Sequence, residues 1–126
     1  MEKKIIATEG APKAVGPYSQ AVRYGDMLYL SGQLCLNPET GEFERDSVAM
    51  QTRRCMENIR AVLNAAGGDM KNILKCTVFL SSMDHFDEMN RVYAEYFQEA
   101  PPARLTVASA GIYDDLDVEI DAVAGL

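Results

Sequence analysis

The chain contains no tryptophan, one histidine (His85) and three cysteines, Cys35, Cys55 and Cys76. An odd number of widely spaced cysteines with no C-x-x-C pair argues against a disulfide framework. One histidine beside such cysteines leaves no zinc ligand set. The thiols read as three reduced cysteines of a cytoplasmic protein. A single histidine also removes the histidine pair that RNA cleavage would use. No apolar run is long enough for a membrane span, and none follows the charged start Met1-Glu2-Lys3-Lys4-Ile5-Ile6, so no signal peptide is expected. Positive charge is scarce: 12 basic against 19 acidic residues give a net charge of −7. That balance works against nucleic-acid backbones and anionic lipid, although one well-placed arginine can still hold a small anion. There is no G-x-S-x-G elbow, phosphate loop or dinucleotide fingerprint. Any catalysis is therefore expected to run without a histidine base, metal or cofactor, on positioned water and placed charge.

The 126 residues, 48% of them hydrophobic, suffice for one domain with a real core and not for two. No repeat, low-complexity tract or linker divides them. Residues 26–32, Asp-Met-Leu-Tyr-Leu-Ser-Gly, read as a strand, and the Gly25-Asp26 turn pairs it with residues 20–24 as a hairpin. Asn37-Pro38-Glu39-Thr40-Gly41-Glu42 is a turn-rich loop. From Ser47 to Ala66 apolar residues recur at three- and four-residue spacing, which predicts an amphipathic helix ended by Gly67-Gly68. Residues 73–80 read as a strand buried on both faces. Asp84 is the expected N-cap of a second helix over 85–98, stopped by Ala100-Pro101-Pro102. Strands at 104–108 and 117–124 close the chain. The order β-β-α-β-α-β-β, with room for one more N-terminal strand, implies an α+β fold with two helices on one face of a mixed sheet. The other face stays partly apolar, which points to a homo-oligomer.

Four stretches stand out chemically. In "PPARLTV", residues 101–107, two prolines stiffen the approach to Arg104 at the mouth of a strand. Arginine's planar fork suits a carboxylate, and a rigid approach lowers the ordering cost of gripping one. A surface ion pair or a helix-end contact accounts for Arg104 equally well. Glu119 lies mid-strand between Val118 and Ile120; it is either solvated at a sheet edge or held in a cleft, where it can orient water or move a proton. Asp117 and Asp121 share its face and read as solvated. "AVGPYSQAV", residues 14–22, sets Tyr18 behind a Gly-Pro turn, as a cleft wall or simply a packed ring. Ser31-Gly32 ends a strand where glycine permits close approach to a ligand. His85 reads as an exposed residue at a helix start.

Together with "LYLSGQLCLNPETGE", "NIRAVLNAAGGDMKNILKCTVFL", "MNRVYAEYF" and "VEIDAVA", these stretches resemble the RidA/YjgF family of imine deaminases nearly end to end. Older names for that family are endoribonuclease L-PSP and translation initiation inhibitor. The resemblance implies a chorismate-mutase-like α+β domain over residues 1–126, assembled as a homotrimer around a central barrel with sites in clefts between subunits. It implies hydrolysis of 2-imino and 2-enamino acids (2-iminopropanoate/2-aminoacrylate, 2-iminobutanoate) to 2-keto acids and ammonia, which protects pyridoxal-phosphate enzymes. No cofactor, metal or membrane is implied. By position, Arg104 would bind the substrate carboxylate and Glu119 would activate the water. Tyr18, Ser31 and Gly32 would line the pocket, with Asn90 near the cleft. Thr106 would offer its backbone carbonyl to the water. Two other readings remain: an RNA-acting protein, against which the charge and the missing basic stripe count, and a non-catalytic keto-acid sensor that needs Arg104 and not Glu119.

Overall fold

Helix α1 (Val48–Ala65) forms where the periodicity predicts it, and the flanking residues set its ends. The Ser47 side chain accepts a hydrogen bond from the Met50 N–H, the standard way of satisfying a first-turn donor. At the other end Gly67 adopts φ +90°, and the N–H groups of Gly67 and Gly68 return to the carbonyls of Asn64 and Leu63. This pair of bonds is the Schellman closure, which requires the left-handed residue that glycine supplies. The apolar stripe of α1, including Cys55, Met56, Ile59, Val62 and Leu63, is fully buried against the sheet.

The computed structural model describes residues 1–109 and 111–126. Its strands are β1 (Lys3–Ile6), β2 (Ala21–Tyr24), β3 (Met27–Gln33), β4 (Ile73–Leu80), β5 (Ala103–Ala108) and β6 (Val118–Gly125). They make one six-stranded sheet in the order β1-β2-β3-β6-β4-β5. Only β4 and β5 run parallel; the connection between them is the crossover containing α2 (Phe86–Glu95), as parallel pairing demands. Both α-helices lie on one face. There Leu28 and Leu30 of β3, Cys76, Val78 and Leu80 of β4, and Val118, Ile120, Ala122 and Ala124 of β6 build the core. The opposite face shows Tyr29, Thr77, Phe79, Leu105, Glu119, Asp121 and Val123, all half-buried or exposed. The mixed α+β architecture with one partly apolar open face is therefore present.

Several expectations are corrected. Strand β4 is buried on one face only: register shifts between Ile73 and Lys75, so Ile73 turns inward and Leu74 is left 51% exposed. Asp84 does not cap α2. Ser82, two residues earlier, accepts from the Asp84 N–H and starts a 3-10 turn over Met83–His85, and α2 begins after it. Helix α2 also ends at Glu95, three residues short of the predicted 98, because the chain must turn toward Ala100 (φ +45°) and the extended Pro-Pro segment. His85 is half-buried, with Nε2 3.5 Å from Asp117 Oδ1. Asp117 is not a solvated acid: it accepts from the Ser81 hydroxyl and the Gln51 amide, while its N–H donates to Gln51. Asp121 accepts from the Thr77 N–H. All three cysteines are free and buried, Cys35 included. Among the described residues no helix is long and apolar enough to cross a membrane.

Candidate active site

Arg104 is the second residue of the edge strand β5 and pairs in register with Cys76 of β4. Since Cys76 faces the helices, the Arg104 side chain leaves the sheet on that side and meets α2. Its guanidinium carbon lies 4.8 Å from the Tyr93 ring centroid and 5.5 Å from that of Phe86. Its Nη1 donates to Asn90 Oδ1 at 2.8 Å. Phe86, Asn90 and Tyr93 stand at i, i+4 and i+7, so one helical face presents all three. Thr106 leaves β5 on the same side, and its hydroxyl is buried with no hydrogen-bond partner among the described residues. Arg45, Arg53, Arg54 and Arg60 each meet a carboxylate. Among the described residues Arg104 meets none. A guanidinium held by ring faces and a neutral amide keeps its charge and its remaining donors for an incoming anion.

Glu119 belongs to β6, a strand in the middle of the sheet, so the solvated-edge reading fails. It points to the open face and lies over Gly32: a Cβ built at Gly32 would collide with the Glu119 carboxylate and sit 3.2 Å from its carboxyl carbon. Gly32 is where the pairing of β3 with β6 shifts register, between Leu30 and Gln33, and its missing side chain makes room for the acid. Burial raises the Glu119 pKa above the ordinary carboxylate value, and the charge of Asp121 adds to the effect. Such a carboxyl is a better proton acceptor than a solvated one.

Tyr18 is 52% exposed, and its loop is tied to the same part of β3. The Ser31 hydroxyl donates to the Ser19 carbonyl at 2.6 Å and the Ser31 N–H donates to the Gln20 carbonyl at 2.9 Å. Ser31 thus spends its proton on anchoring the Tyr18 loop and keeps lone pairs for a ligand. The buried Gln20 amide fixes the preceding segment by donating to the carbonyls of Thr8, Ala11 and Pro12 and accepting from the Thr8 N–H.

The sequence candidates therefore fall into two groups. Arg104, Asn90 and Thr106 lie on the helix side of β5; Glu119, Gly32, Ser31 and Tyr18 lie on the open side and its margin. Glu119 aligns with Phe79 of β4, and Phe79 with Val107 of β5, three residues past Arg104. Two strand spacings and three residues of rise put the Cα atoms of Arg104 and Glu119 about 14 Å apart, with side chains on opposite faces. A concavity of ≈ 780 Å³ runs along Ile5, Ile6, Thr8, Lys13 and Tyr18 and is lined by neither Arg104 nor Glu119. One substrate cannot touch both residues within a single chain. Sequence reasoning did not single out Phe86 and Tyr93, which lie within the second helix expected over 85–98. Their sign was Asn90, a polar residue on the same helical face.

A family model described as Endoribonuclease L-PSP matches residues 8–126. The chain is 46% identical over 122 residues to a RutC family protein of Pyrococcus horikoshii, covering 97% of each. It is 39% identical over 126 residues to Reactive Intermediate Deaminase A, chloroplastic, of Arabidopsis thaliana, covering 100% of this chain and 67% of that protein. The chain belongs to the RidA/YjgF family. Its fold matches the crystal structure of E. coli TdcF with bound serine at a TM-score of 0.93 and 40% identity, over 98% of both chains. The sheet with two helices is thus the RidA/YjgF fold, and the quoted motifs that carried the resemblance lie in its strands, its helices and the loops that connect them.

Proposed function

We propose that this protein hydrolyses 2-imino and 2-enamino acids to 2-keto acids and ammonia in the cytoplasm, as a cofactor-free deaminase. One observation supports this above the others: Arg104 is ordered by neutral groups and unpaired by any described carboxylate, as a carboxylate receptor must be. The substrate carboxylate pairs with the Arg104 fork, which fixes C2 of the iminium in space. Water adds to C2, and its proton passes to the Glu119 carboxylate. Collapse of the carbinolamine expels ammonia, which takes up the proton that Glu119 held. Iminium acid plus water thus gives keto acid plus ammonium, with atoms and charge balanced. The raised pKa of Glu119 suits a group that both accepts and returns a proton.

The opposite-face placement of Arg104 and Glu119 supports a site shared between copies, with the Arg104 half of one subunit facing the Glu119 half of the next. A homotrimer closes such a heterologous contact into a ring. Tyr18, Ser31 and Gly32 then wall the Glu119 half, and Asn90 and Thr106 the Arg104 half. The relative named for reactive-intermediate deamination supports the chemistry. The ribonuclease reading draws no support from a net charge of −7 or from arginines tied to acids.

The test is subunit complementation. Arg104→Ala and Glu119→Ala chains are refolded separately and as an equal mixture. Turnover is followed by generating 2-iminobutanoate from threonine with a dehydratase and trapping residual imine with semicarbazide. Each variant alone is inactive. In the mixture an Arg104-bearing chain is followed by a Glu119-bearing one at about a quarter of the contacts, so about a quarter of wild-type activity returns. No recovery refutes the shared site. A wild type that only matches the uncatalysed background refutes the deaminase, and keto-acid binding without turnover then favours the sensor.

A further inference from the structure

We infer that Tyr93, with Phe86, is a positioning residue that seats the Arg104 guanidinium; the inference rests on the reading of Arg104 as the carboxylate receptor. An arginine side chain on an edge strand has several rotatable bonds and no intrinsic reason to hold one direction. The usual way to order it is a carboxylate, and that is how Arg45, Arg53, Arg54 and Arg60 are held. A carboxylate at Arg104 would occupy the fork and cancel the charge that the substrate needs. Ring faces avoid both losses. They attract the cation through their quadrupole, favour a flat guanidinium against them, and take none of its N–H donors.

The two rings are themselves fixed differently. Tyr93 is only 6% exposed and its ring packs on Phe97 at 4.9 Å between centroids. Its hydroxyl has no hydrogen-bond partner among the described residues and is pushed toward the neutral form by burial, with the Cys76 thiol alongside. The hydroxyl therefore contributes little, and the ring face is the useful part of the side chain. Phe86 is half-buried at the start of α2 and packs against the margin of the core, where leucine keeps an apolar side chain in place. The seat thus has a rigid buried floor and a more exposed second wall, with Asn90 between them accepting the one N–H that fixes rotation.

The experiment compares Tyr93→Phe, Tyr93→Leu and Phe86→Leu with wild type. It measures 2-ketobutyrate binding by calorimetry, KM and kcat for 2-iminobutanoate hydrolysis, and the thermal midpoint. Tyr93→Phe, which keeps the ring, stays within about twofold of wild type in binding and KM. Tyr93→Leu and Phe86→Leu weaken 2-ketobutyrate binding and raise KM about tenfold, with kcat changed far less. A purely structural role for Tyr93 would lower the midpoint without this split. Folded leucine variants that bind the keto acid as wild type does overturn the seat. If Tyr93→Leu does not fold, Phe86→Leu decides alone. If wild type neither binds 2-ketobutyrate nor hydrolyses the imine, the receptor reading fails and the seat fails with it; wild-type activity retained in both leucine variants sinks the seat alone.

Discussion

Gly32→Ala separates the position of the Glu119 carboxylate from its presence. Gly32 does not have positive φ, so alanine fits its backbone. The added methyl collides with the end of the Glu119 side chain, and not with backbone. An ordinary carbon–oxygen contact is about 3.3 Å or more, so the carboxylate has to swing away by about 1 Å. Replacing glycine gains about 0.4–1 kcal/mol by restricting the unfolded chain, and an off-rotamer glutamate loses about 0.5–1.5 kcal/mol. These terms nearly cancel, so the denaturation midpoint should hardly move. Catalysis is less forgiving. A misplacement of about 1 Å at a proton-transfer group costs about a hundredfold, which is about 2.7 kcal/mol in the barrier. The assay is imine hydrolysis with semicarbazide trapping, beside urea denaturation of the same preparations. A fall of about a hundredfold in kcat/KM at unchanged stability and unchanged keto-acid binding supports Glu119 as the water-handling residue. Full activity would refute the reasoning, because a displaced carboxylate would then be doing as well as a placed one.

Glu119→Gln removes a half-buried charge. Because the folded-state pKa is raised, Glu119 takes up protons on folding; its stability contribution is fully present below the ordinary carboxylate pKa and is lost as pH rises through the raised value. Thermal melts across pH should show the variant gaining on wild type at neutral pH and losing that advantage in acid, while its turnover is absent throughout. Wild-type kcat/KM should rise with pH through a midpoint above the usual carboxylate value, and a midpoint at or below it would count against Glu119 as the base. Asn90→Asp places a carboxylate within hydrogen-bond reach of Arg104 and closes the receptor: calorimetry should show 2-ketobutyrate binding weakened tenfold or more, and Asn90→Ala less affected. Gln51→Leu strips the partner from the Asp117 N–H and one donor from its carboxylate. It should cost about 2 kcal/mol in urea unfolding without changing the pattern of imine turnover.

Local patterns were legible wherever a residue's nearest neighbours decide its structure. The stripe of α1 and its Gly67-Gly68 stop are written within a few residues and appear as read, and the Ser47 cap that the structure adds is just as local. The two-residue turn at Gly25, φ +62°, is local in the same sense. The misreadings have two causes, a competing cap close by and partners elsewhere in the chain. Ser82 and Asp84 have the same capping chemistry, and the residue that starts its own 3-10 turn won. Leu74 continues the inward alternation of β4 on paper, but the register shift against β6 turns it out. Asp117 looked solvated because Gln51, Ser81 and His85, which surround it, are distant in sequence.

The site divides along the same line. The Pro-Pro-Ala-Arg approach marks Arg104 as special, yet nothing local to 101–107 says which face its side chain takes. That is set by pairing with Cys76, one strand over. Glu119 looked like an edge acid because the last strand of a chain is easily pictured at an edge. Here β6 inserts between β3 and β4, and the insertion buries Glu119 against Gly32 and raises its proton affinity. Periodicity supplies the parity of each strand, and only register ties the parities together. Once tied, they put Arg104 and Glu119, the proposed carboxylate receptor and proton acceptor, on opposite faces of one sheet. Strand bending cannot reunite residues that face away from each other across the sheet, so chemistry that needs both requires a second copy. In the proposed assembly it is the half-apolar open face, legible from the first reading as a surface in want of a partner, that brings the Glu119 half to that copy. In the proposed deaminase one surface serves both assembly and catalysis.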